Sequence, residues 1–381
     1  MKVSVLGFGT VGVGVYEMLQ KTPLLQAGSV LVRPGKADAP FKVTSIEEIV
    51  SDPTVDAVAE VMGGIEPAFT YGCAVLRAGK HFVTSNKALV AAHGVELDAL
   101  ARENGVGFLF SAACGGGVPF LHNLALAVES DEVLSLGGIL NGTTNYMLDM
   151  MQSRGMDYAD ALKDAQKLGY AEADPTADVS GLDALRKIML GCAVAYGQLP
   201  TEGLLYEGIE SFTAEDVAHL ASLGLTCRLL ARGGKNPDGT VSAYVEPSVF
   251  APDAPECSVL KNFNMAKYEG ANAGRIVLMG QGAGRYPTAS AVVRDLCDIA
   301  HGRRAMLREN CRTAAADNSA PESAYYVRVS APYAGRFPAA ERYEAGESVR
   351  LRTEKMSVSA MHALAKEIRK DGGEVFFASL A

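Results

Sequence analysis

Gly7-Phe8-Gly9-Thr10-Val11-Gly12 is the first stretch of this sequence whose residue types and spacing can do chemistry. It follows the apolar run Val3-Ser4-Val5-Leu6 and opens a helical stretch, the setting in which GxGxxG binds a dinucleotide. Gly7 permits a tight turn, Gly9 lets the backbone approach a pyrophosphate, and Gly12 lets helix and strand pack closely. The helix N-terminus adds free N–H groups and a partial positive charge. The alternative is a glycine turn with no ligand. About 20 residues further on, a site selective for NAD places an Asp or Glu on the ribose 2′-hydroxyl. Here stand Val32, Arg33, Pro34, Gly35 and Lys36. Two cations and no carboxylate attract a 2′-phosphate, so NADP(H) is the expected cofactor and NAD(H) the second choice. The alternative is that Arg33 and Lys36 are merely solvated.

A second constellation lies far along the chain. Asp183 and Lys187 are spaced i, i+4, so a helix carries them on one face, where they can meet the same ligand. Two structural readings compete with that: a surface ion pair worth ~0.3–0.5 kcal/mol, and a capping box formed by Ser180 and Asp183. Asn141 to Tyr146 is dense in small polar donors ahead of a helix, and by itself reads as an N-cap. His81, His93, His122, His219, His301 and His362 carry no spacing that suggests a metal or a triad, so none is given a chemical role.

These residues need elements to position them. Up to residue 118, short β-branched runs (Val3 to Leu6, Ala57 to Val61, His81 to Thr84, Gly107 to Phe110) alternate with helical stretches. Continuous apolar strands of this kind are covered on both faces, which predicts an α/β, Rossmann-type, doubly wound parallel sheet over 1–118. Residues 119–280 read as an α+β domain for substrate binding and dimerisation, with helices over Phe120 to Glu129, Asp157 to Leu168 and Leu182 to Tyr196. Strands are expected over Val241 to Val245 and Arg275 to Met279. Gly280-Gln281-Gly282-Ala283-Gly284 reads as a turn opening a helix over Thr288 to His301, so that 281–315 returns to the nucleotide domain. The remainder, 321–381, is enough for a small C-terminal α+β unit.

A length of 381 residues exceeds what one core usually serves, so more than one domain is expected. A formal charge of −9 argues against sequence-independent nucleic-acid binding, which needs an excess of Lys and Arg along one face. No apolar stretch reaches the ~20 residues that span a bilayer, and no export signal is read at the start. Seven cysteines with no CxxC pair suit reduced thiols in a cytoplasm.

Four further segments carry a resemblance. Thr84-Ser85-Asn86-Lys87-Ala88-Leu89, Gly115-Gly116-Gly117-Val118-Pro119, Gly138 through Tyr146, and Leu168 through Thr176, with Gly181-Leu182-Asp183 and Lys187, resemble homoserine dehydrogenase over about residues 1 to 310. The resemblance implies reversible hydride transfer between NAD(P)H and the aldehyde carbon of L-aspartate 4-semialdehyde, giving L-homoserine on the route to threonine and methionine. Aldehyde reduction needs a donor for the developing alkoxide, which a nearby lysine supplies. Lys87, at a strand end, and Lys187, on a helix, match family positions at the active site, and which of them moves the proton stays open. Asp183, also counted with the catalytic residues, and Glu172 become the carboxylates that bind the amino and hydroxyl ends of the substrate. Gly142, Thr143 and Tyr146 fall in a segment the family places at the substrate pocket. The cofactor site is expected to extend to Gly63, Ser85 and Lys87, and to Gly280 and Gly282.

Two departures are visible. Where the family often holds a structural monovalent cation with a Glu, this chain has Ser111, which leaves the carbonyls of Cys114, Gly116 and Val118 as candidate ligands. Many family members end in an ACT regulatory domain, whereas the tail here offers no convincing first helix and reads as a degenerate unit, so threonine feedback is only weakly expected. A homodimer or homotetramer acting on a small molecule is expected. The rivals are another Rossmann oxidoreductase acting on an amino-acid aldehyde or imine, and a nucleotide sensor that has lost catalysis. The presence of Lys87, Glu172, Asp183 and Lys187 counts against the sensor.

Overall fold

The computed structural model describes residues 1–33, 35, 39–345 and 347–381. The chain divides into two compact units, one of Met1–Val133, Met189–Leu199 and Tyr268–Thr313, the other of Leu134–Ile188, Pro200–Lys267 and Ala314–Ala381.

The first unit is built on six strands: β1 (Lys2–Leu6), β2 (Gln26–Leu31), β3 (Lys42–Val43), β4 (Ala57–Glu60), β5 (His81–Thr84) and β6 (Phe108–Leu109). They form a parallel sheet in the order β3-β2-β1-β4-β5-β6. Val3, Val5 and Leu6 are fully buried and every residue of β4 is buried, as expected for strands covered on both faces. The chain leaves β1 through α1 (Thr10–Leu19) for β2 on one side, and β4 takes the other side, so the order reverses at the C-terminal end of β1. That reversal is where open α/β sheets bind ligands. Helix Arg285–Ala300 packs on α1, with Gly14 facing Arg285 and Ala289 so closely that a Cβ would stand 2.8 Å from the Arg285 side chain. The helix starts three residues before the expected Thr288, straight after Gly284 at φ +116°.

The second unit holds a mixed sheet in the order Phe263–Gly270, Val133–Ile139, Thr226–Lys235, Val241–Phe250, Val375–Leu380, Tyr325–Ser330, Ser348–Thr353 and Ala339–Ala345. Helices Gly142–Arg154 and Tyr158–Lys167 and the first turns of Leu182–Tyr196 belong to it. The tail therefore does not stand apart. Its last strand extends the sheet in parallel to Val241–Phe250, pairing Ser379 with Ser248 and Leu380 with Val249. One tail face packs Tyr325, Val327, Leu351 and Phe377 with Met361 and Ile368 of helix Val358–Lys370. On the other side Arg328 Nε and the Tyr326 hydroxyl reach the buried Asp216 at 2.9 and 3.0 Å. In the place of a first helix after Tyr325–Ser330 stands a single 3₁₀ segment, Ala331–Arg336, with a proline in its first turn. No helix among the described residues is long and apolar enough to cross a membrane.

Candidate active site

The glycine motif sits as its spacing requires. Gly7 follows β1 with φ +98°, a left-handed conformation glycine adopts readily. A Cβ on Gly12 would stand 2.2 Å from the Gly7 carbonyl oxygen, so close approach of turn and helix forbids any side chain there. Nothing lies within 4 Å of the place a Cβ on Gly9 would take. Gly9 is the N-cap of α1 and offers no side-chain cap, so the N–H groups of the first turn, Thr10 and Val11 among them, lack an intrahelical partner, the condition in which a helix start takes up an anion. Phe8 meets Tyr16 edge to face, 6.1 Å between ring centres.

The neighbouring strand ends supply the rest of this rim. Arg33 is exposed just beyond β2, and Lys36 lies outside the described residues. Gly63 follows β4 with open space where a Cβ would be, and Ser85 follows β5 with its N–H on the Glu60 carbonyl. Lys87 is not at the strand end itself but is the first residue of helix Lys87–Glu103, because the Asn86 carboxamide caps that helix by accepting from Leu89 N at 3.1 Å. Glu60, which no motif or spacing singles out, is fully buried between β4 and β5. Its carboxylate accepts from Met62 N at 2.7 Å and Thr84 Oγ1 at 2.5 Å, and burial raises its pKa. Asn86 Nδ2 donates to the Gly64 carbonyl at 2.6 Å, so the loop after β4 and the start of the Lys87 helix are tied together.

Gly280 lies at the end of strand Gly274–Gln281 of this unit, and Gly282 directly follows that strand. Gln281 accepts from Gly117 N at 3.0 Å, and a Cβ on Gly116 would stand 2.5 Å from the Gly282 carbonyl oxygen. The two glycine segments are therefore packed backbone to backbone. Within the loop, the Val118 carbonyl already accepts from Phe120 N at 2.8 Å. Ser111 has its N–H on Asp295 Oδ2 at 2.7 Å and its hydroxyl on Asp295 Oδ1. Burial pushes the Asp295 carboxyl up to about 7. The Ser111 hydroxyl therefore adds no anion to the carbonyls of Cys114, Gly116 and Val118, and the donor set does not fit a firmly held cation. His122, whose spacing carries no metal signal, lies 3.1 Å from Asp298, and Asp295 completes a group that can hold a metal. Burial lowers the His122 pKa, against the raising effect of the neighbouring Asp298, and Arg294 and Arg303 lower it further.

The second unit brings Asp183 and Lys187 together as an ion pair at 2.7 Å, both buried. They stand on helix Leu182–Tyr196, in its first and second turns. The rival reading of Asp183 is a capping box with Ser180. Gly181, at φ +87°, separates Ser180 from the helix, so Asp183 falls one residue short of the position such a box needs, and its carboxylate turns to Lys187 and Asn141 instead. Lys187 Nζ also donates to the Leu140 carbonyl at 2.5 Å. The surface-pair reading falls with the burial, since a pair this enclosed is not screened as a solvated one is.

Asn141 caps helix Gly142–Arg154 and is 5% exposed. Its Nδ2 donates to Asp178 Oδ1 at 2.7 Å and to Asp183 Oδ2 at 2.9 Å. Burial, followed by smaller contributions that include the nearby Asp183, raises the Asp178 carboxyl. Sequence reasoning missed Asp178 altogether. The Thr143 hydroxyl donates to the Tyr170 carbonyl at 2.6 Å, and Gly142 leaves no room for a Cβ, which would stand 2.7 Å from the Asn262 carbonyl oxygen. Tyr146 spends its hydroxyl on Asp164 and rises to about 12, first through burial. Glu172 is exposed, with its backbone carbonyl accepting from Gln166. The arrangement offers a lysine ammonium fixed by a carboxylate and a carbonyl, beside a second carboxylate biased toward its neutral form. That combination can hold and move a proton.

Comparison with known proteins agrees across both units. Residues 7–111 match the family model described as homoserine dehydrogenase, NAD binding domain, and residues 119–297 match the one described as homoserine dehydrogenase. A homoserine dehydrogenase of Synechocystis is 41% identical over 316 residues, 78% of this chain and 73% of that protein. One from Corynebacterium glutamicum is 40% identical over 326 residues, 80% and 73%. Among solved structures, a homoserine dehydrogenase from Thiobacillus denitrificans superposes with a TM-score of 0.89 at 29% identity, covering 100% of this chain and 98% of that one. A hyperthermophilic archaeal homoserine dehydrogenase solved in complex with NADPH gives a TM-score of 0.69 at 26% identity, covering 82% and 99%.

Proposed function

The chain belongs to the homoserine dehydrogenase family, and on that premise we propose how its own residues perform the oxidoreduction of a CH–OH group with a nicotinamide dinucleotide. When held by Gly7 through Gly12, a nicotinamide dinucleotide would supply hydride-transfer chemistry between L-homoserine and L-aspartate 4-semialdehyde. Lys187 gives its proton to the aldehyde oxygen during reduction and takes the hydroxyl proton during oxidation. Asp183 holds the ammonium in place, and the low exposure of both groups strengthens their interaction. Lys87 assists as a second cation, and Glu172 with Asp183 orients the polar ends of the substrate. The buried Asp183–Lys187 pair, anchored on the Leu140 carbonyl, is the observation that carries this reading.

For the cofactor we propose a preference for NADP(H). Arg33 is exposed beside the end of β2, and no carboxylate stands among residues 32–36 to repel a 2′-phosphate. Gly7 through Gly12, with Gly63, Ser85, Gly280 and Gly282, form the rest of that site. The proposed division of labour is 1–118 with 281–315 for the dinucleotide, 119–280 for substrate and dimerisation, and 321–381 as a small C-terminal segment that extends the second unit's sheet. A homo-oligomer is supported by strand Gly274–Gln281, whose exposed face carries Val277 and Met279, and by Leu134 and Phe263 on the second unit's sheet. A cytoplasmic location is supported by seven free cysteines.

The test mixes purified protein with L-homoserine and either NADP or NAD and follows the absorbance of the reduced nicotinamide. Faster reduction of NADP is expected. Equal or faster reduction of NAD would refute the Arg33 argument, and silence with both would refute the assignment of these residues to this reaction.

A further inference from the structure

Asn141 does more than its place at a helix end requires. As N-cap of helix Gly142–Arg154 it needs only an acceptor, and its Oδ1 serves, receiving Thr144 N at 2.8 Å. A serine, threonine or aspartate would cap equally well. Because Thr144 N–H can only donate, the oxygen's place is fixed and the NH₂ group must point the other way. There its two hydrogens go to two carboxylates from different helices, Asp178 on Thr176–Val179 and Asp183 on Leu182–Tyr196. Of the capping residues, asparagine alone combines a cap acceptor with two donors. A cap from serine or aspartate would lack them.

The charge balance makes those donors matter. Asp178 is faced by Asn141, Asp183, Lys187 and the Thr143 hydroxyl, so two carboxylates share one ammonium in a largely buried site. Without the amide between them, Asp183 is free to turn toward other donors or to share a proton with Asp178. In either case it would no longer hold Lys187 against the Leu140 carbonyl.

We infer that Asn141 is a positioning residue for proton transfer, fixing the Asp183 carboxylate that holds Lys187 and keeping it apart from Asp178. The inference rests on the reading that Lys187 moves the proton. Asn141→Ser and Asn141→Asp both keep the cap and lose the pair of donors, and Asn141→Asp also adds negative charge beside Lys187. Homoserine oxidation, with both substrates varied and over a range of pH, tests them against wild type and against Lys187→Ala, with circular dichroism to verify folding.

Both Asn141 variants are expected to lose at least ~10-fold in kcat, as a misplaced catalytic group does, while KM for the dinucleotide stays the same. In Asn141→Asp the rise of activity with pH is expected to move upward by about one pH unit, because added negative charge holds the ammonium proton longer. A purely structural cap predicts wild-type kcat and pH profile in both, and that result overturns the inference. If Asn141→Asp does not fold, the kcat of Asn141→Ser decides. Wild-type turnover in Lys187→Ala would overturn the assignment of Lys187 and the inference with it. A silent Lys187→Ala beside wild-type Asn141 variants would overturn the inference alone.

Discussion

Lys187 Nζ lies 2.7 Å from Asp183 Oδ2, one helical turn away, with the two side chains 11% and 8% exposed. A pair so enclosed differs in kind from a surface i, i+4 bridge, because neither charge can recover hydration if its partner is removed.

Lys187→Ala should therefore leave dinucleotide binding nearly intact and lower turnover by at least ~10²-fold, the range typical of losing a general acid or base. Fluorescence titration with the reduced dinucleotide and a steady-state assay read the two quantities separately. A variant that turns over normally would remove Lys187 from the mechanism.

Asp183→Ala should cost about 1–3 kcal/mol of stability, since it leaves a buried ammonium with only the Leu140 carbonyl and the more distant Asp178 to face it. The same change should move the pH at which homoserine oxidation rises downward, because a buried ammonium that loses one of its two carboxylates gives up its proton more readily. Urea denaturation and a kcat–pH profile check both parts. Unchanged values in either would show the pair to be dispensable.

Gly9→Ala and Gly12→Ala should separate binding from folding. The added Cβ of Gly9→Ala meets nothing within 4 Å, so stability should stay within about 0.5 kcal/mol. It fills the space open to a pyrophosphate, so dinucleotide affinity should fall. Gly12→Ala places a Cβ 2.2 Å from the Gly7 carbonyl oxygen and should cost about 1–3 kcal/mol through overpacking. Calorimetric titration beside chemical denaturation distinguishes them, and a Gly9→Ala protein that binds as wild type would contradict the placement of the phosphates.

Asp295 should make stability depend on pH in a definite direction. Its carboxyl stands at about 7 in the folded protein against the usual value near 4. Between those values the unfolded chain gives up the proton while the folded one keeps it, so this residue's contribution falls as pH rises from about 4 to 7 and is level above. Asp295→Asn lacks that slope. The wild-type minus variant difference in unfolding free energy should therefore shrink across the window, and a constant difference would refute the raised carboxyl.

Much of the nucleotide half is legible in the amino-acid sequence. Buried strands announce themselves as unbroken apolar runs such as Val3 to Leu6, and the glycine motif states its geometry in its spacing. The helix over Leu182 to Tyr196 is legible for the same reason, since Asp183 and Lys187 answer to a period of one turn. In each case the interacting residues are close in sequence, so local backbone geometry alone decides whether they meet.

What only the tertiary structure decided depends on contacts that no period encodes. Asn141 meets Asp178 and Asp183 across 37 and 42 residues, and Ser111 meets Asp295 across 184. The same holds for Glu60, an acid at the end of an apolar strand that reads as unremarkable until Thr84 is placed beside it by the pairing of β4 with β5. Asn141 shows the division within one residue: its sequence neighbourhood marks the N-cap, while its two donors acquire a purpose only when separate helices deliver their carboxylates to it. Burial settles the rest, because the cost of an unpaired charge is set by how much water the fold removes, and that is a property of the packed chain rather than of any segment.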